Sequence, residues 1–115
     1  MFEPKIEPVV KAMVKRELEY ANSVYPLFAS DHEACAVMRE EYEEAQEQLE
    51  RCENYLVRAW KMIRCDEDIS EPCRIIETEA VLLACEAIQL AAMARKARMS
   101  IEERQGKGGT GNEQI

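Results

Sequence analysis

Residues 35–63 read CAVMREEYEEAQEQLERCENYLVRAWKMI and carry the most regular apolar pattern of the chain. The apolar positions are spaced alternately three and four residues apart, which is the heptad pattern of a helix that packs along one seam. They are Cys35, Met38, Tyr42, Ala45, Leu49, Cys52, Leu56, Ala59 and Ile63. The pattern therefore predicts one long, amphipathic helix.

The length of this helix bears on the assembly of the protein. Thirty-odd helical residues span about 50 Å at 1.5 Å per residue, whereas a compact globule of about 100 residues has a radius of gyration of only about 13 Å. Either the helix bends near its middle, or part of its seam packs on another subunit. The segment has no Gly or Pro at which to bend, so we expect a helical homo-oligomer.

Prolines mark the starts of two further helices. Pro4 and Pro8 open a first helix, whose apolar residues recur every three or four positions over about residues 7–23. Pro72 lies in the first turn of a third helix, which is expected to cover about residues 70–98 and to end in a cluster of cations. The sequence therefore predicts an all-α fold, a bundle of three helices in which the second is long.

The ends of the second helix and of the domain also follow from local signals. Ser30, followed three residues later by Glu33, has the form of a capping box at the start of the second helix. All four glycines lie in the last ten residues, a composition typical of a flexible segment. We therefore expect a single helical domain over residues 1–99 and a flexible, Gly-rich tail over residues 100–115.

Composition excludes several classes of function. The net charge of −8 over 115 residues disfavours nucleic acid as a partner, because binding the phosphate backbone relies on Lys and Arg. The most apolar window, residues 80–94, is too short to cross a bilayer, so no membrane partner is expected. We expect no signal peptide, because the first residues lack a basic start followed by an apolar run. Five cysteines without a CxxC pair favour a reduced, cytoplasmic protein over a zinc site.

Two polar pairs with a spacing of three residues lie on helical stripes beside apolar positions. Glu41 and Glu44 share a stripe of the second helix, and Glu86 and Gln89 are the polar residues of the apolar window 80–94. Carboxylates at this spacing can bind one hard cation, and a buried carboxylate needs a cation, a donor or a ligand. These four residues are the candidate metal ligands. The alternative is a buried Glu and Gln that neighbouring side chains satisfy across an oligomer interface.

Two stretches of the chain carry a family resemblance. Residues 30–45 read SDHEACAVMREEYEEA and residues 86–94 read EAIQLAAMA. Together they resemble the MazG-like all-α nucleotide pyrophosphohydrolases, especially the short single-domain versions carried by phages and prophages. In that family, EExxE on one helix and ExxD on the next hold the magnesium that grips a nucleoside triphosphate. The resemblance implies a MazG-like fold, Mg²⁺ as cofactor and a nucleotide as ligand.

The second of these motifs departs from the family pattern. Glu40, Glu41 and Glu44 match the first motif and Glu86 matches the glutamate of the second, but Gln89 stands where the family has aspartate. A neutral amide removes one negative charge, which should weaken magnesium binding and the activation of water. The leading hypothesis is a catalytically degenerate nucleotide-binding protein, such as a phage protein that sequesters a nucleotide or a nucleotide-derived signal.

Two other functions stay open. One is an active, magnesium-dependent pyrophosphohydrolase that converts a nucleoside triphosphate to a monophosphate and pyrophosphate, with Gln89 holding a water. The other is an acidic helical oligomer that binds a basic protein partner. Neither hypothesis assigns a catalytic residue from the sequence.

Further candidates would bind the rest of a nucleotide. Aromatic side chains just before the first motif suit stacking on a base, and basic side chains suit its phosphates. These candidate ligand-binding residues are Tyr25, Phe28, His32, Glu40, Arg58, Lys61 and Arg95. The alternatives are a core position for Phe28, an ordinary surface position for His32, and a helix-dipole or solubility role for the cations.

Overall fold

The computed structural model describes residues 5–110, and three α-helices make up most of this range. α1 spans Ile6–Val24, α2 spans Asp31–Arg64 and α3 spans Ser70–Thr110. Within the described range no strand occurs. The predicted all-α class, with three helices and a second helix of 34 residues, is confirmed.

Local capping fixes the start of α2 as the sequence predicts. The Glu33 N–H donates to Ser30 Oγ at 3.1 Å, and the Glu33 carboxylate accepts the N–H of Ala29 at 2.7 Å. In the usual capping box the carboxylate accepts the N–H of the capping residue itself. Here it reaches one residue further back, so the contact also orients the connector that leads into the helix.

The link between α2 and α3 turns at Asp66, which has a φ of 58°. The Glu67 N–H bonds to the Met62 carbonyl at 2.9 Å and the Asp66 N–H to the Ile63 carbonyl at 3.1 Å. This pair of bonds is a Schellman motif, which satisfies the last carbonyls of a helix and needs a left-handed residue after it. Asp tolerates that conformation better than most residues. α2 therefore ends through its own backbone.

The end of α3 differs from the prediction. The helix continues to Thr110 instead of ending near residue 98, so this expectation is wrong. Ser100 is buried and accepts the Phe28 N–H at 2.8 Å, while Arg104 donates to the Phe28 carbonyl at 3.1 Å. These long-range hydrogen bonds stabilise helical turns that the spacing of apolar residues does not indicate.

Two compact units divide the chain. The first contains the described residues up to Glu40 together with those from Ile88 onward, and the second is Glu41–Ala87. The domain boundary predicted at residue 99 thus falls inside α3, and residues 111–115 of the predicted tail lie outside the described residues. Among the helices described, none combines the length and apolarity that crossing a bilayer requires.

A small core holds the first unit together. Phe28, Ala34 and Ala97 are buried in contact with one another, and three partly buried residues pack around them: Val37, Met38 and Met93. Lys96 is only 3% exposed, and its ammonium lies 4.9 Å from the centroid of the Phe28 ring. The core therefore ties the connector before α2 onto α3.

The second unit covers only part of the heptad seam of α2. Cys52 and Ala59 are buried. In contrast, the four large apolar residues of the seam in this unit, spaced seven residues apart, are exposed: Tyr42, Leu49, Leu56 and Ile63. Within the second unit the small residues of the seam are thus buried or half-buried, and the large ones are exposed.

Candidate metal centre

Three carboxylates converge in the second unit. Glu41 and Glu44 come from α2 and Glu86 from α3, and one oxygen from each lies within 4.8 Å of the other two. Glu41 and Glu86 are half-buried, whereas Glu44 is exposed. The spacing of three residues puts the α2 pair on one face of the helix, and the return of the chain along α3 adds the third carboxylate. The structure therefore brings together three of the four predicted metal ligands.

Neighbouring carboxylates raise the pKa of one member of this cluster, Glu44. A hydrogen bond with Glu86 raises the pKa of Glu44 above its ordinary value of 4.5, and the negative charge of Glu86 adds to the effect. Desolvation and the charge of Glu47 contribute further. The carboxyl of Glu44 retains its proton at a higher pH because like charges at this distance oppose a second ionisation. The cluster thus favours an added positive charge, whether a proton or a metal cation.

The donor atoms suit a hard cation. Mg²⁺ and Ca²⁺ prefer oxygen ligands from carboxylates and carbonyls, and the three side chains of the cluster supply carboxylate oxygens alone. One helical turn after Glu44, the buried Oε1 of Gln48 makes no hydrogen bond in the described part of the chain. A buried, unsatisfied carbonyl is costly, so this oxygen is a further candidate contact. The residues present therefore fit a magnesium ion.

The basic candidates near the second half of α2 have structural contacts. Arg58 forms an ion pair with Glu71 of α3, with Nη2 and Oε1 2.9 Å apart, and its guanidinium lies 5.9 Å from the centroid of the Tyr55 ring. Arg51 similarly approaches Glu79 at 3.6 Å. These pairs link the two helices of the second unit. Arg58 would have to leave its carboxylate partner to bind a phosphate.

Other predicted cations are at the surface. Lys61 is exposed on α2. Arg95, in the first unit, is exposed and borders a shallow depression of about 260 Å³. The other residues of that depression are Arg98, Met99 and Glu102. A phosphate-binding role for Lys61 and Arg95 stays a prediction.

The aromatic candidates belong to the first unit and differ in exposure. Tyr25 is 66% exposed, whereas Phe28 is 8% exposed and part of the core, the alternative considered from the sequence. The ammonium of Lys96 lies 6.0 Å from the centroid of the Tyr25 ring, within reach of a cation–π interaction. The burial of Lys96 was not predicted, because the sequence analysis counted this residue only among the cations expected at the end of the third helix. Its position three and four residues after Met93 and Ala92 is the signal for burial.

Three further candidates also lie in the first unit. His32 and Glu40 are exposed on α2, and Gln89 is half-buried on α3, three residues after Glu86. Their proposed contacts with metal or nucleotide stay predictions.

Comparisons with protein-family models, with curated proteins and with solved structures give no match to this chain.

Proposed function

We propose that this protein binds Mg²⁺ through Glu41, Glu44 and Glu86 and, through that ion, the phosphates of a nucleotide or nucleotide-derived signal. The observation that supports the proposal is the convergence of three carboxylates from two helices within 4.8 Å. The same three glutamates are those that the resemblance to the MazG-like family aligns with magnesium ligands. Geometry and resemblance thus point to the same residues.

A metal ion would resolve an electrostatic conflict between this protein and such a ligand. The chain has a net charge of −8, and the cluster itself repels phosphate. Mg²⁺ is held in proteins by one or two carboxylates together with the phosphates of a substrate, so it would join two groups that otherwise repel each other. The ion would also offset the negative charges that raise the pKa of Glu44.

Binding without efficient turnover is the form of the proposal that best suits residue 89. Gln89 supplies a neutral amide where the MazG-like family has a carboxylate, and the loss of that charge weakens the activation of an attacking water. Stacking of a base on an aromatic side chain would not depend on this charge. A phage protein that sequesters a nucleotide-derived signal would need the binding step alone.

A MazG-like arrangement of the helices, a cytoplasmic location and a homo-oligomeric state complete the proposal. The resemblance supports the helix arrangement. The odd number of cysteines in the chain supports the cytoplasmic location, and the exposed heptad positions of α2 support the homo-oligomeric state.

Titration calorimetry on the full chain tests the cation site. We expect Mg²⁺ to bind the unmodified protein, and Glu86→Gln to weaken that binding at least about tenfold, as the loss of a metal-site contact does. Glu50→Gln is the matched control, because Glu50 is an exposed glutamate of α2 that is not part of the cluster. Equal magnesium affinity in the Glu86 variant and the unmodified protein would refute the site.

A nucleotide screen paired with a pyrophosphate-release assay tests the function. We expect binding of a linear or cyclic nucleotide that depends on Mg²⁺, and little or no release of pyrophosphate from nucleoside triphosphates. Rapid release would replace the binder with an active pyrophosphohydrolase. The absence of both nucleotide binding and pyrophosphate release would favour the alternative of an acidic oligomer that binds a basic protein partner.

Restoring the family residue provides a second test of the resemblance. Gln89→Asp should increase the affinity for Mg²⁺ and raise any pyrophosphate release, because it restores the missing charge. An unchanged affinity would contradict the alignment of Gln89 with the aspartate of the family.

A further inference from the structure

A row of large apolar side chains lies exposed along the second unit's part of α2. The exposed fractions of its members range from 47% to 59%, and the members follow one another at intervals of seven residues. They are Tyr42 (50%), Leu49 (57%), Leu56 (59%) and Ile63 (47%). Residues seven apart share one face of a helix. We call these four residues the α2 row.

The middle of the α2 row has the shape of a packing site. A depression of about 390 Å³ lies between Leu49 and Leu56, and Cys52 and Glu53 line it as well. These four residues stand at positions i, i+3, i+4 and i+7, the arrangement that forms the hole for a side chain of a second helix in knobs-into-holes packing. A contiguous apolar surface of this kind marks an interaction site, and its shape suits another helix with heptad spacing.

The distribution of charge along α2 indicates which helix packs on the α2 row and in which orientation. Residues 41–53 contain six glutamates and one arginine, whereas residues 57–64 contain two arginines and one lysine and no acidic residue. A second α2 in parallel orientation would place acidic beside acidic and basic beside basic. In antiparallel orientation the acidic half of each copy faces the basic half of the other, and complementary charges fix the register and orientation of a helix pair.

We propose that the α2 row binds the α2 row of a second copy of this chain in antiparallel orientation. The two-fold axis passes between Leu49 and Leu56, so that Leu49 lies near Leu56 of the second copy and Tyr42 lies near its Ile63. Such an interface uses the same surface twice and closes as a dimer. None of the four residues of the α2 row belongs to the proposed cation site, and the dimer forms without metal or nucleotide.

Light scattering and sedimentation of the metal-free protein test the dimer. At tens of micromolar we expect twice the chain mass of 13.2 kDa. Leu56→Glu should give the monomer, because it places an unpaired carboxylate in the interface. Val81→Glu is the matched control, since Val81 lies in the same unit on α3 and is 59% exposed, as Leu56 is. It should leave the dimer intact.

A monomer of the unmodified protein at tens of micromolar would overturn the proposal, and so would a dimer that survives Leu56→Glu. Equal dissociation by Val81→Glu would move the interface away from the α2 row. Circular dichroism checks the helical content of each variant. If Leu56→Glu loses it, the uncharged Leu56→Ala decides, with a weaker dimer expected.

Charge reversal tests the orientation. Reversing the acidic end with Glu43→Lys and Glu50→Lys, or the basic end with Lys61→Glu and Arg64→Glu, should each weaken the dimer about tenfold, as the loss of several exposed ion pairs would. Combining both reversals restores complementarity in an antiparallel pair and should recover the affinity. A combined variant no tighter than either single-end variant would overturn the antiparallel orientation.

Discussion

Ser100 provides a quantitative test of the contact between the connector and α3. Its side chain is 1% exposed, accepts the Phe28 N–H at 2.8 Å and donates to the Lys96 carbonyl at 2.9 Å. Ser100→Ala leaves the buried N–H of Phe28 without its acceptor, which costs about 1–3 kcal/mol. The Lys96 carbonyl loses less, because carbonyls inside a helix keep their backbone donor. We expect the free energy of unfolding to fall by about 2 kcal/mol, a large share of the total of about 5–15 kcal/mol.

The assay is denaturant unfolding at fixed protein concentration, since self-association would otherwise shift the midpoint. Ser23→Ala is the matched control. Ser23 Oγ also donates to a backbone carbonyl within its helix, that of Tyr20 at 2.7 Å, but it is exposed, and its loss should change stability by no more than about 0.5 kcal/mol. Both variants share the gain in helix propensity from Ser to Ala. Equal stability changes in the two variants would refute the role of Ser100.

Three further predictions concern the carboxylate cluster, the link between α2 and α3, and the core. The pKa of Glu44 is raised in the folded state, so its contribution to stability is complete below its ordinary value of 4.5 and is lost as pH rises through the folded pKa. Without metal, Glu44→Gln should remove that loss and raise the melting temperature at pH 7, while Mg²⁺ should stabilise the unmodified protein more than this variant. Asp66→Val should lower the free energy of unfolding by about 1–2 kcal/mol, measured in urea, whereas Asp66→Gly should not, because glycine adopts a positive φ freely. Phe28→Leu should lower the free energy of unfolding by less than the roughly 3–5 kcal/mol that truncation of a buried Phe to Ala costs. It should leave nucleotide affinity unchanged in calorimetry, and a lost affinity would instead show that the ring contacts the ligand.

The local pattern of the sequence predicted the helices and which carboxylates of α2 lie on one face. Spacing of apolar residues and the capping pair Ser30 and Glu33 depend on neighbours a few positions away, so the helix starts and the length of α2 could be derived. The spacing of Glu41 and Glu44 placed both carboxylates on one face for the same reason. Glu86 was a candidate ligand as a carboxylate in an apolar window, but spacing within α3 could not show that it meets the α2 pair; that pairing was implied by the resemblance.

Only the tertiary structure showed which residues far apart in the sequence contact and bury one another. α3 continues past its expected end because Ser100 and Arg104 hydrogen-bond to Phe28, more than seventy residues earlier in the chain, and no local pattern records such a partner. Lys96 is buried because aromatic rings from the connector cover it. The heptad seam showed which residues of α2 are apolar, but its division into covered small residues and an exposed row of large ones depends on what packs against the helix. Burial is a property of the folded neighbours, so it could not be read from α2 alone.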